Sequence, residues 1–173
     1  MKTIDTAGFE TIKAVVAIFE RLESNGPHLL FGPKLTGFGQ GFLMPVGGKY
    51  KPSDENNPVT AAHREGYEEA HLEGWSNFVP GRITITIRDK RQILPIDIVI
   101  YTSWSGRLVW NDEFEWLKFM SLSEILAGKI LPCDDIWLKR ILIDHKPTSF
   151  NILCGKDRED VLDFEVLDFD PKK

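Results

Sequence analysis

The chain has 173 residues, 42% of them hydrophobic, with a formal net charge of −5. That length suits one domain over 1–173 with a real core, and the acidic balance gives no global basic footprint for a nucleic-acid partner. No run of about 18 apolar residues exists, so nothing is expected to span a membrane.

The N-terminus, MKTIDTAGFE, is polar and lacks the apolar centre of a signal peptide. Residues 11–22, TIKAVVAIFERL, are β-branched and apolar and read as a strand. Asn25-Gly26 is the strongest local turn signal, and HLLFGPK (28–34) returns as the partner strand. TGFGQGFLMPVGGK (36–49) is a glycine-rich loop holding a short strand. Asn57-Pro58 fits a helix start, with Asn as cap and Pro in the first turn, and the helix runs from Pro58 to His71. GRITITIRD (81–89) and ILPIDIVIYTSW (93–104) read as a hairpin around DKRQ, and LKFMSL (117–122) as another strand. SLSEILAG (121–128) starts a short helix, with Ser121 or Ser123 as cap and Gly128 as stop. DDIWLKRILIDH (134–145) carries a helical apolar stripe. SFNILCG (149–155) and VLDFEVLDF (161–169) close the chain as a hairpin. The fold class is therefore α+β, antiparallel strands with two or three helices packed on them.

Cys133 and Cys154 make no disulfide framework, so a reducing, cytoplasmic setting is the default. His28, His63, His71 and His145 show no zinc-ligand spacing. The chemistry concentrates in REGYEE, residues 64–69. Glu65, Glu68 and Glu69 fall three and four apart on the helix, where like charges repel unless something compensates. A divalent cation would do so, since hard oxygens suit Mg²⁺. Arg64 can pair with one carboxylate and orient it. A solvated acidic face is the alternative.

The stretch from Gly47 to Gly74 resembles the Nudix signature G-x5-E-x7-R-E-U-x-E-E-x-G-U, in which U is apolar. Arg64, Glu65, Glu68, Glu69 and Leu72 match. Gly66 stands where an apolar residue is expected, His71 where the helix-ending glycine is expected, and Asn56 where the first glutamate would fall. The flanks are similar to the 8-oxo-dGTP diphosphatases of the MutT-homologue type. GFGQGFLMPVGGK looks like their GFGxGxWNGFGGK, NDEFEWLKF their SDEMxxxWF, and LPCDDIW their WPDDxxW; the tail resembles their terminal hairpin. The resemblance implies an α/β/α sandwich around a mixed sheet and the Mg²⁺-dependent hydrolysis of a nucleoside triphosphate, with Mn²⁺ as a possible substitute. It implies metal binding by Glu65, Glu68, Glu69, Glu113 and the Gly47 carbonyl, with Glu68 or Glu69 as base. Around a nucleotide substrate it points to Lys34, Phe38, Met44, Leu131, Asp134, Asp135 and Trp137. Lys34 and Phe38 match the family. Met44 replaces its Asn, Leu131 its Trp and Cys133 its first Asp, so an intact 8-oxoguanine pocket is not expected. Helix capping is the other reading of Asp134 and Asp135.

Overall fold

The computed structural model describes residues 5–142 and 146–169. The end of the expected helix at 143–145, with His145, lies outside them, as do the first four residues of the chain. The strands are β1 (Glu10–Thr11), β2 (Ala14–Glu23), β3 (Gly26–Pro33), β4 (Leu43–Lys49), β5 (Leu72–Ile87), β6 (Gln92–Gly106), β7 (Lys118–Ser121), β8 (Thr148–Cys154) and β9 (Val161–Asp168). The helices are α1 (Pro58–Ala70), between β4 and β5, then α2 (Leu122–Ala127) and α3 (Pro132–Leu142), both between β7 and β8.

The strands form one mixed sheet in the order β7-β3-β4-β2-β6-β5-β8-β9. Its centre is the parallel pair β2–β6, in register from Ala14↔Ile96 to Phe19↔Tyr101. A central strand is covered on both faces, so its sequence runs apolar without alternating. Leu94, Ile96, Ile98, Val99, Ile100 and Tyr101 of β6 are accordingly all buried. The two faces separate cleanly. The Tyr101 ring stacks on Phe19 at 5.0 Å, and its hydroxyl donates to the Val59 carbonyl of α1. Ile100, the preceding residue, points the other way and lines a groove with Ile141 and Leu142 of α3. Helices thus lie on both faces of the mixed sheet, an α/β/α sandwich of the α+β class.

Several boundaries differ from the sequence reading. β5 begins at Leu72 rather than Gly81, because three irregularities between Gly74 and Gly81 let a stretch with no clean alternation stay paired to β6. The short β1 extends the line of β2 along β6, at Glu10↔Gln92 and Thr11↔Ile93. In the first hairpin Glu23 pairs with Gly26, so Ser24 and Asn25 form the turn, and Gly26 takes the left-handed conformation at φ +116.

Gly66 is not a gap in the core. A Cβ built there would lie 2.6 Å from the Phe19 ring. The stacked Phe19 and Tyr101 rings fill the place that an apolar side chain at 66 would take. Gly66→Ala should therefore destabilise the protein by roughly 1–3 kcal/mol through overpacking, despite a helix-propensity gain of about 1 kcal/mol. Urea denaturation measures this, and an Ala variant as stable as the parent would contradict the packing argument.

Candidate active site

Asn57 starts α1 as expected: its side-chain oxygen accepts from the Val59 and Thr60 amides. The sheet-facing stripe of the helix is Ala61, Ala62, Glu65, Gly66, Glu69 and Ala70. Two of the three glutamates therefore lie on the buried side, Glu65 at 7% exposure and Glu69 at 2%. Glu68 stands at the edge, its side chain 43% exposed.

Each carboxylate is balanced by a cation. Arg64 donates from Nη1 to Glu65 (2.7 Å) and to Glu68 (3.0 Å). Its other donors grip Asp54 as a fork, at 2.9 and 2.8 Å, and Nη2 also meets the Lys49 carbonyl. Asp54 is the acid that the sequence reading put at Asn56. Counted forward from Gly48, Asp54 follows five residues, as the signature asks. Counted back from Arg64, the spacing is two too long, because residues 55–63 separate the two. Glu55 and Asn56 absorb the surplus, both in the left-handed conformation at φ 51 and 58. Asn56 bonds Lys13 on the surface instead. Asp54 is buried at 1% exposure, and Arg64 holds its carboxyl below the usual range.

Glu69 receives the Gly47 amide at 2.8 Å and the Lys34 ammonium at 2.5 Å. Lys34 also reaches Glu113 at 2.8 Å. Glu113 belongs to a segment docked on the end of α1. The Asn111 amide bonds the Glu69 carbonyl, its side chain bonds the Glu68 carbonyl, and its Oδ1 accepts from the Glu113 amide. Burial pushes Glu69 up to about 7 against the pull of Lys34 and Gly47. Burial also raises Glu65 despite Arg64. Burial raises Glu68 too, but Lys51, which forks both its oxygens at 2.9 Å, and Arg64 outweigh it and hold Glu68 low.

Glu65, Glu68, Glu69, Glu113 and Gly47 all line one cleft of about 370 Å³, together with Lys34, Phe38 and Met44. Among the described residues no three acidic, histidine or cysteine groups converge tightly enough to cage an ion. The donor set still fits a hard divalent cation in kind, because four carboxylates share the cleft and protein cations now balance them. Gly48 makes the approach possible: a Cβ there would lie 2.5 Å from a Glu65 oxygen.

The remaining residues singled out in the sequence separate. Met44 is buried at the cleft wall, packed on Gly39. Leu131 and Trp137 are core residues, 2% and 1% exposed, and neither lines the cleft. Asp135 is half-exposed, away from the cleft, and pairs with Lys139 one turn along α3. Asp134 is buried, and its Oδ1 accepts from Trp137 Nε1 at 2.8 Å and from the Cys133 thiol at 3.7 Å. Sequence reading missed Arg158, whose guanidinium lies 3.4 Å from the centroid of the Phe38 ring. A lone arginine in a polar turn carries no signal of that contact.

The fold is that of solved Nudix and MutT proteins. A mutator MutT protein from Bacillus halodurans superposes with a TM-score of 0.74 at 16% identity, over 90% of this chain and 97% of that one. The E. coli ORF135 protein gives 0.64 at 21% identity, covering 79% and 92%. The NUDIX domain of Shewanella oneidensis NrtR, solved with ADP-ribose, gives 0.64 at 12% identity, covering 83% and 94%. No family model and no curated protein matches the sequence. At these identities the likeness establishes the Nudix fold, and the REGYEE helix lies against the glycine strand inside it.

Two predictions follow from the charges. Asp54→Ala leaves Arg64 half-buried without its main partner and should cost about 3 kcal/mol of stability. Asn56→Ala should stay within about 0.5 kcal/mol. Denaturation of both variants checks the reassignment, and the reverse ranking would restore Asn56.

Burial raises Asp134 to about 6, against the Trp137 bond that lowers it. An unfolded aspartate titrates near 3.9. The folded protein therefore favours the protonated acid, and this advantage is complete below about pH 4 and lost as pH rises through 6. Asp134→Asn, which keeps an oxygen for Trp137, should match the parent near pH 4 and exceed it at pH 8 by up to about 3 kcal/mol. A stability gap that does not widen between the two pH values would refute this assignment.

Proposed function

We propose that the protein is a Mg²⁺-dependent Nudix pyrophosphohydrolase that cleaves a purine nucleoside triphosphate to the monophosphate and pyrophosphate, with Mn²⁺ able to substitute. The observation that carries this reading is the meeting of Glu65, Glu68, Glu69 and Glu113 on one cleft of about 370 Å³ in a Nudix fold. Acidic clusters on a solvated face would not need Gly48 to make room for one carboxylate or the Gly47 amide to hold another. The bound ion would neutralise phosphate charge and polarise the scissile anhydride. Glu65, Glu69 and Glu113 would hold it with the Gly47 carbonyl. Glu68, whose side chain is 43% exposed while Glu69 is buried, is the carboxylate open to water and the one we assign as base; the Lys51 and Arg64 donors that engage it lie on the same exposed edge. Lys34 and Lys51 sit where released ammonium groups would meet phosphate oxygens.

A second reading keeps the site and changes the substrate to another nucleoside-diphosphate compound. The ADP-ribose held by the structurally similar NrtR domain favours including it.

A panel of nucleoside triphosphates, ADP-ribose and dinucleotides, assayed with Mg²⁺ and with Mn²⁺, tests the proposal. Turnover should release pyrophosphate from the triphosphates and vanish with chelator. Glu68→Gln and Glu69→Gln should each lower kcat at least about 10²-fold. Activity that survives chelation would overturn the mechanism. Tight nucleotide binding without turnover on the whole panel would indicate a binding domain.

A further inference from the structure

The catalytic cleft does not end at the carboxylates. Ile12, Lys49 and Lys51 line the cleft and also line a second depression beside it, of about 600 Å³. The order of residues along β4 sets the layout. Met44 stands near the start of the strand, packed on Gly39 next to Phe38. Gly47 and Gly48 lie against Glu69 and Glu65, and Lys49 ends the strand. Five steps of about 3.3 Å separate Met44 from Lys49. The depression therefore lies beyond the carboxylates, away from Phe38 and Met44. Lys51 joins the two spaces: its ammonium forks both Glu68 oxygens at 2.9 Å, and its side chain lines the depression.

This depression is basic in a chain of net charge −5. Lys13, Lys49 and Lys51 surround it, against the single acid Glu10, whose carboxylate accepts from Gln92 at 3.1 Å. Like charges around one concave surface repel one another and focus a positive field into it, which favours an anion there. Lysines serving solubility alone would be interspersed with acids over the surface. Lys13 is also held in place. Its carbonyl accepts from the Tyr50 amide, and its ammonium donates to Asn56 Oδ1, both at 3.1 Å. Asn56 is neutral and does not cancel that charge. With Glu55 it is one of the two surplus residues of the loop, and both keep the left-handed backbone that residues with side chains adopt only where the surroundings hold them. The insertion thus supplies a wall of the depression and an anchor for Lys13.

We propose that the depression is a phosphate subsite continuous with the catalytic cleft, where Lys13 and Lys51 hold a fourth phosphate, so that the protein prefers nucleoside 5′-tetraphosphates to triphosphates. A polyphosphate chain whose nucleoside lies against Phe38 and Met44 passes the carboxylates and runs out towards these lysines. An ammonium on a flexible stem offers three donors to phosphate oxygens and suits a chain end that need not be gripped as a fork. Water still cleaves the chain to the nucleoside monophosphate, and tripolyphosphate leaves in place of pyrophosphate. The inference rests on the nucleotide reading of the cleft but not on turnover.

Calorimetric binding of adenosine 5′-tetraphosphate and ATP, with Mg²⁺ at fixed ionic strength, tests it. A Glu69→Gln background keeps both ligands intact during the titration. The tetraphosphate should bind at least about 10-fold more tightly, the order contributed by a hydrogen bond between charged groups. Adding Lys13→Met should cut that ratio to about 3-fold or less and leave ATP affinity within about 2-fold, because only the fourth phosphate loses its partner. Lys13→Arg keeps the charge and should retain most of the preference. Asn56→Ala removes the anchor and should fall between; it carries the test should the Met variant fail to fold. A ratio near 1 in the background, or one unchanged by Lys13→Met, would overturn the proposal. Inorganic phosphate titrated into the ATP complex distinguishes the other source of the anion. Saturable phosphate binding that needs Lys13, together with equal affinity for the two nucleotides, would assign the depression to free phosphate and overturn the chain-length preference. A Lys13-dependent preference in a protein whose parent hydrolyses no nucleotide would sink the proposed activity and leave this inference standing. Hydrolysis of triphosphates without the preference would do the opposite.

Discussion

Two carboxylates stand on the buried stripe of one helix, and the surrounding structure is arranged to tolerate them. An uncompensated buried charge costs several kcal/mol. Arg64, Lys34 and the Gly47 amide meet Glu65 and Glu69 in the same layer and offset part of that cost, while burial still pushes both carboxyls up. The glycine strand β4 then runs close to α1, and a side chain at 48 would displace the Glu65 carboxylate from the place it holds here. Asp54 enters the same balance from the loop, anchoring Arg64 so that its remaining donors are aimed at Glu65 and Glu68.

Two of the departures inside the signature, Gly66 and His71, are compensated by packing rather than by loss of structure. Gly66 is required by Phe19, whose ring occupies the space that a larger residue at 66 would take. His71 adopts the left-handed conformation expected of the helix-ending glycine, φ 55, and its amide closes onto the Gly66 and Tyr67 carbonyls. Strain of that kind in a non-glycine residue persists where other contacts hold it. Here the imidazole Nδ1 lies 2.9 Å from the Val109 carbonyl, in the segment that leads to Glu113. The helix end and the placement of Glu113 are thus one assembly.

The cleft and the buried start of α3 obey different rules. In the cleft every carboxylate has a cation partner, so the geometry is held by opposing charges. At the start of α3 Asp134 is kept at a cost to stability, with one oxygen fixed by Trp137 and the other unpaired. Strain or unsatisfied polarity retained at a site is a common mark of function.

The sequence by itself determined the local features. The capped start of α1, the Arg64-Glu65-x-x-Glu68-Glu69 spacing, the strands around the glycine loop and the α+β class all follow from contacts a few residues apart, where periodicity and capping chemistry act. It could not tell which glutamates faced inward, because α1 reads as acidic on one side until β4 and its glycines define the inner face. It misplaced the acid at Asn56, because a count along the chain is blind to two residues that bulge out in left-handed conformation. It did not reveal Arg158, whose contact with Phe38 depends on a hairpin turn more than a hundred residues further along the chain folding back over that ring. Long-range contacts of this kind are decided by how the sheet orders β8 and β9 beside β5, and only the tertiary structure sets that order.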